Sequence, residues 1–277
     1  MNISKKTVMP HIAGSLVDSS QPVVAIPFRT GNCESFGIAH SHKRAQFIYP
    51  GTGIVKVQTG YGIWCISPSQ AAWIPSMHEH RILYPQNTTV YALFIDSSLS
   101  SKFKNYCCVL NIDSFMKELI LKAVKIGEKY SVGSHEHSIM QVISGEISRL
   151  TPSSLNLPLA KDERVLRVMN YLLDNPASSK QLDHFSKIAC TSTKNLNRLF
   201  MKETRLTFGT WRKHLKVLEA VEKLSKGLSV TEVSIDLGYR SLSSFVSMFR
   251  KVTGKTPGAF LREHSCQVNY TENSCLT

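Results

Sequence analysis

Acidic residues are scarce in this chain, 20 Asp and Glu against 33 Lys and Arg in 277 residues, which leaves a net charge of +13. The scarcity is uneven. Residues 1–160 hold 14 Lys and Arg against 9 Asp and Glu, and the remaining 117 hold 19 against 11. Basicity is therefore densest in the C-terminal part, as a polyanionic partner would require. A C-x-x-C pair is missing, and the seven cysteines are odd in number. Neither a disulfide framework nor a zinc knuckle is suggested, and a reducing compartment fits. No apolar run approaches the roughly 20 residues that span a bilayer. The opening MNISKKTVMPHIAG lacks the apolar centre of a signal peptide. A cytoplasmic protein without membrane attachment is expected. No cofactor loop, acid pair or separate nucleophile supports catalysis.

The most informative stretch runs from Leu228 to Glu263. Val230, Val233 and Leu237 recur at helical spacing, and Gly238 can take the positive φ that a tight turn between helices needs. Ser241 is placed to cap a second helix whose buried stripe is Leu242, Phe245, Met248 and Phe249. Its other face carries Ser243, Ser244, Ser247, Arg250 and Lys251, with Arg240 and Ser241 just before it. These are hydroxyls and cations without a carboxylate, which suits a DNA major groove. Gly254 ends the helix, and Pro257 prevents its extension.

The block Ile235 to Tyr239 with Leu237-Gly238, then Ser241, Phe245, Phe249-Arg250-Lys251, Gly254, Thr256 and Pro257, resembles the signature region of the AraC/XylS family of bacterial transcription regulators. Upstream, Ser192, Leu196, Phe200, Thr204 and Thr207 repeat Ser241, Phe245, Phe249, Thr253 and Thr256 at a constant offset, so the C-terminal domain is read as an internal duplication. A long helix from about Phe208 to Lys226 separates the copies. In the first copy Lys194, Asn195, Asn197 and Arg198 face outward. Arg and Lys reach guanine acceptors, and Asn pairs with adenine. Lys194, Asn197 and Arg198 are assigned to base edges. Cys190 stands at a turn position usually held by Gly, and Arg205 stands where the second copy has Gly254.

Between Val23 and Asp96 the chain is rich in β-branched and aromatic residues broken by Gly and Pro, which predicts an antiparallel barrel or sandwich. His40, His42, Arg44 and Gln46 share parity on an expected strand, and His80 follows in Met77-His78-Glu79-His80. The two segments resemble the paired motifs of the cupin barrel, in which three His and a Glu converge on a metal. The resemblance makes His40, His42, Gln46 and His80 metal candidates, with Gln46 in place of the Glu and Met77 in place of a glycine. Imidazole suits Zn, Ni or Fe. The residues also read as hydrogen-bonded interior groups, or as contacts for an organic effector together with Arg44 and Trp73. Arg44 is open to an anionic effector or to a salt bridge with Glu34 or Glu79. Trp64, Tyr61, Tyr84 and Tyr91 offer further aromatic lining.

Helices are expected over 111–130, with Ile112, Phe115, Leu119, Ala123 and Ile126 on one stripe, and over 134–150. The expected organisation is α+β with two domains: a cupin-like sensory barrel over 1–110, helices over 111–150, a linker over 151–160, an all-α domain with two helix-turn-helix motifs over 161–264, and a flexible tail over 265–277. The resemblance implies a homodimer that binds double-stranded DNA, responds to a small-molecule or metal effector, and activates transcription beside RNA polymerase. The other function left open is a metal-dependent cupin enzyme fused to a DNA-targeting module.

Overall fold

The structure, a computed structural model, describes residues 20–31, 35–153 and 156–265. Residues 1–19, Cys33, Glu34, and the expected tail from 266 with Cys266 and Cys275 lie outside the described residues. The chain divides into two compact units, 1–59 with 66–154 and 60–65 with 155–277.

The first unit is rich in strands: β1 (Val23–Arg29), β2 (Ser35–Phe36), β3 (Ala45–Pro50), β4 (Val55–Thr59), β6 (Gln70–Ile74), β7 (His80–Tyr84), β8 (Thr89–Ile95) and β9 (Cys108–Asn111). One sheet has the order β1-β8-β3-β6-β9, and β7 pairs with both β4 and β2 in another. All of these pairings are antiparallel. Among the described residues the strands form separate sheets, and no pairing closes them into the expected barrel. Every residue of β3 is buried. Both faces of this central strand are covered, so apart from Gln46 it is apolar throughout rather than alternating.

Ala45, Phe47 and Tyr49 point to the side where α1 (Ser114–Ile126) and α2 (His135–Arg149) pack. Asp113 caps α1 by accepting from the Met116 amide, and Ser134 caps α2 by accepting from His137. The buried stripe of α1 is Met116, Ile120 and Ala123, and Phe115 is 57% exposed. Sequence periodicity pointed to a stripe through Phe115. The segment is apolar around more than one face, so spacing alone could not choose the face the sheet takes.

In the second unit β5 (Gly62–Ile66) pairs with β10 (Leu157–Pro158), a two-residue strand inside the segment expected to be linker. Seven helices follow: α3 (Glu163–Asp174), α4 (Leu182–Ile188), α5 (Thr193–Thr204), α6 (Phe208–Ser225), α7 (Val230–Asp236), α8 (Leu242–Thr253) and α9 (Pro257–Ser265). Their core holds Val165, Val168, Met169 and Leu172 of α3, Leu196 and Phe200 of α5, Phe208, Trp211, Leu215, Leu218 and Leu224 of α6, and the expected Phe245, Met248 and Phe249 of α8. Leu242 departs from its expected stripe at 43% exposure. It opens the first turn of α8, before the helix has reached the core.

The α4–α5 and α7–α8 pairs repeat one another in the bonds of the turn, the second-helix cap and the second-helix end, while the Ser229–Glu232 capping box of α7 has no counterpart at Gln181 of α4. Ser192 and Ser241 cap the second helix of each pair by accepting from Asn195 and Ser244 amides. Thr204 donates to Phe200 and Leu206 carbonyls as Thr253 does to Phe249 and Lys255. In the turns, the Ala189, Cys190 and Thr191 amides bond Phe185, Lys187 and Ser186 as those of Leu237, Gly238 and Tyr239 bond Val233, Ile235 and Ser234. From there to the caps the second copy is one residue longer, and the extra residue is Arg240. Gly238 sits at φ 74°, and its counterpart Cys190 is forced to φ 49°. Arg205 ends α5 at φ 61°, where Gly254 ends α8 at φ 78°. Both non-glycine residues thus occupy the left-handed region.

Candidate functional site

On α5, Lys194 and Arg198 are exposed, and Asn195 and Asn197 are half-buried. Arg198 donates from Nε and Nη2 to Asn195 Oδ1 at 3.1 and 2.9 Å, and Asn195 Nδ2 donates to Thr191 Oγ1 at 2.8 Å. The guanidinium is thereby held along the helix face with its remaining donors outward. The acid of α5, Glu203, accepts from the Lys161 and Asp162 amides.

On α8, Ser243, Ser244, Ser247, Arg250 and Lys251 are exposed, as are Arg240 and Ser241 ahead of it. The hydroxyls of Ser243 and Ser244 lie 3.2 and 2.8 Å from Ser241 Oγ. They belong to a hydrogen-bonded cap, which shortens their reach further. No residue of α8 is acidic.

Between the pairs, α6, which sequence reasoning reads as a spacer, carries four cations, and three of them lie in its first half. Arg212 donates to the Lys180 carbonyl at 2.9 Å and to that of Ser178, and lies over the Phe185 ring of α4. Lys216 is 9% exposed, donates to the Leu237 carbonyl at 2.7 Å, and lies 4.7 Å from the centre of the Tyr239 ring. Burial, with the Arg212 charge added, pushes its ammonium down to about 8. Lys216 therefore sits at the C-terminus of α7, where a cation meets the helix dipole. The third, Lys213, is exposed and lines a groove of about 570 Å³ with Ser243, Ser244, Ser247, Met248 and Lys251 of α8. The available signal was that a helix flanked on both sides cannot keep all its cations in solvent.

In the first unit His40, His42 and His80 converge, with one ring nitrogen of each within 4.8 Å of the others. The shared strand expected for His40 to Gln46 is not formed. Instead β3 begins at Ala45, and His40 is held by a bridge to His80, the two exchanging backbone hydrogen bonds of 3.0 and 2.9 Å. Each Nδ1 lies against a carbonyl: His40 to Ile38 at 2.8 Å, His42 to Arg44 at 2.6 Å, and His80 to His78 at 2.9 Å. A carbonyl only accepts, so each Nδ1 carries the proton. In a neutral ring Nε2 is then a lone pair. Gln46 Oε1 lies 3.2 Å from His42 Nε2 and 3.0 Å from His80 Nε2. Burial pushes His42 below its ordinary value and His80 down to about 4, so both rings are neutral near pH 7.

Carbonyl-anchored imidazoles presenting Nε2 are what a metal ligand shell requires. The donor set of three neutral imidazoles and an amide oxygen therefore fits a divalent transition ion. The same distances are satisfied without an ion when the Gln46 amide is turned to donate to both rings. Arg44 does not join this cluster. It donates to Gln21 and Phe94 carbonyls and stands 3.8 Å from Asp96, which replaces the expected Glu34 or Glu79 partner. Trp73 is placed on the opposite face of the sheet. It pairs across from Phe47, lies in the core under α1 and α2, and donates to the Lys104 carbonyl.

Residues 185–263, from within α4 into α9, match a family described as a helix-turn-helix domain. Across 241 residues the chain is 29% identical to the HTH-type transcriptional regulator NimR of Escherichia coli K12, covering 87% of this chain and 88% of that one. The likeness supports the reading of the chain as a transcription regulator of the AraC/XylS type. A shorter match, 32% over 121 residues, is to the HTH-type transcriptional regulator RipA of Corynebacterium glutamicum, covering 43% of this chain and 37% of RipA. Among solved structures, ToxT of Vibrio cholerae O395 aligns with 88% of this chain and 98% of its own at 12% identity and a TM-score of 0.38. The relatives carry names of regulators. The chain is accordingly a DNA-binding regulator and not an enzyme, with a β-rich N-terminal part and a helical C-terminal part. Among its described residues no helix is long and apolar enough to cross a membrane.

Proposed function

We propose that this regulator reads DNA with two helix-turn-helix motifs, inserting α5 and α8 into successive major grooves, and that its β-rich unit is a cupin-like sensor whose effector port is the His40, His42 and His80 cluster. The observation that carries the first part is the repetition of the turn bonds and second-helix caps of α4–α5 in α7–α8, each second helix keeping a face of hydroxyls, amides and cations exposed. Successive major grooves on one side of B-DNA are about 34 Å apart, and α6, buried along its middle, holds the two copies at a fixed separation. Lys194, Asn197 and Arg198 have the donors for base edges, with Asn195 steering Arg198. On α8, Arg250 has the longest reach, and Ser243 and Ser247 discriminate through shorter or water-borne contacts.

The carbonyl-anchored Nδ1 atoms support a divalent metal ion at the sensor, held by the three Nε2 atoms and Gln46. By resemblance the protein works as a cytoplasmic homodimer that activates transcription beside RNA polymerase. The experiment is base-preference selection from a random duplex pool. Arg198→Ala should relax preference at a single position and cost roughly 1–3 kcal/mol there. An unchanged preference would refute the assignment of Arg198 to a base edge.

A further inference from the structure

The cations in the first half of α6 divide by direction. Arg212 and Lys216 turn inward onto carbonyls and aromatic rings, and Lys213 turns outward into the groove beside α8. Across that groove stands Lys251. Among the described residues, neither Lys213 nor Lys251 has a hydrogen bond or ion pair. No acidic residue lines the groove, so two ammoniums and three hydroxyls face a common space without a counter-charge.

The geometry of α8 fixes what this space meets. Ser244, Ser247, Met248 and Lys251 follow i, i+3, i+4 and i+7 spacing, a single stripe on the flank turned toward α6. Ser243, Ser247 and Arg250 form the neighbouring stripe, opposite the buried Phe245 and Phe249. When a helix lies in a major groove, its outermost stripe meets base edges and its flank meets the sugar-phosphate wall. We infer that the groove between α6 and α8 is the seat of a DNA backbone phosphate, with Lys213 and Lys251 as its cations and the Ser244 hydroxyl as a donor. This rests on the reading of α8 as a groove-entering helix. It adds α6 to the DNA-contacting elements and moves Lys251 and Ser244 from sequence readout to positioning.

The test is fluorescence anisotropy of the full-length chain on a fixed 30-base-pair duplex over a range of KCl concentrations, with base preference measured in parallel. Each phosphate contact contributes about 0.9 to the slope of log affinity against log salt, so losing one weakens binding on the order of eightfold at 0.1 M salt. Lys213→Gln should lower the slope by about one and leave base preference unchanged, and Lys213→Arg should restore the slope. Lys223→Gln on the same helix, whose ammonium pairs with Asp236 at 2.9 Å, is the charge-matched control and should leave the slope as it was. An unchanged slope in Lys213→Gln overturns the seat, as does a changed base preference. Wild-type protein that fails to bind the duplex at low salt would instead overturn the DNA reading of α8.

Discussion

Gly238 and Gly254 occupy the same backbone region for different structural reasons, and replacing each by alanine separates the two costs. Both have positive φ, 74° and 78°, so a Cβ at either adds about 1–2 kcal/mol of backbone strain. Loss of glycine's freedom in the unfolded chain returns about 0.4–1 kcal/mol. Gly254→Ala should therefore cost about 1 kcal/mol, because nothing lies within 4 Å of the added carbon. At Gly238 the added Cβ would stand 2.9 Å from the Ala177 carbonyl oxygen. That oxygen is backbone, in the loop whose Ser178 and Lys180 carbonyls are tied down by Arg212, so it cannot swing aside as a side chain would. Overpacking adds about 1–3 kcal/mol, giving Gly238→Ala a total of about 2–4 kcal/mol. Urea unfolding of the full chain, with the midpoint compared at unchanged slope, resolves a gap of this size as a shift of about 1 M. Equal losses for the two variants, or a larger loss at Gly254, would refute the close approach of the 175–181 loop to this turn. Cys190→Gly should move stability the other way, relieving strain at φ 49°.

Burial of Lys216 gives a pH signature. Its folded-state value of about 8 lies below the ordinary 10.5, so between those values the unfolded chain binds more protons and stability rises with pH. Below pH 8 both states hold the proton and the contribution is flat. Urea titrations should therefore show wild type gaining on Lys216→Met between pH 8 and 10.5; a pH-independent difference would contradict a buried ammonium. At the His40, His42 and His80 cluster, purified protein should carry a stoichiometric divalent transition metal by mass spectrometry, lost in His42→Ala. A folded, metal-free wild type would mean that the Gln46 amide alone satisfies the rings.

The helical unit was legible because its determinants are local. The Ser241 cap and its repeat at Ser192, apolar stripes at helical spacing, and the repeat of Ser-Leu-Phe by Ser-Phe-Phe all lie within a few residues of what they fix. Cys190 and Arg205 were recognisable as departures because the second copy supplies a glycine at each. What escaped depends on partners distant in sequence. Nothing near Arg44 in the chain points to Asp96, and Trp73 shares a face with Phe47 only because β6 pairs with β3 in that register. Phe115 and Leu242 were assigned to buried faces because spacing was consistent with two faces and only packing chose. The three histidines were gathered correctly, but by the His40–His80 bridge rather than by strand parity. Lys213 and Lys216 fell out of view because a helix between two repeats looks like a spacer until its neighbours are known.

The central claim is that one chain reads two successive major grooves through α5 and α8. Hydroxyl-radical footprinting of the full-length protein on a duplex it has itself selected from a random pool tests this most directly. Two protected patches on one face of the DNA, separated by about one helical turn of 10–10.5 base pairs, are predicted. A single protected groove, or two patches on opposite faces, would contradict it.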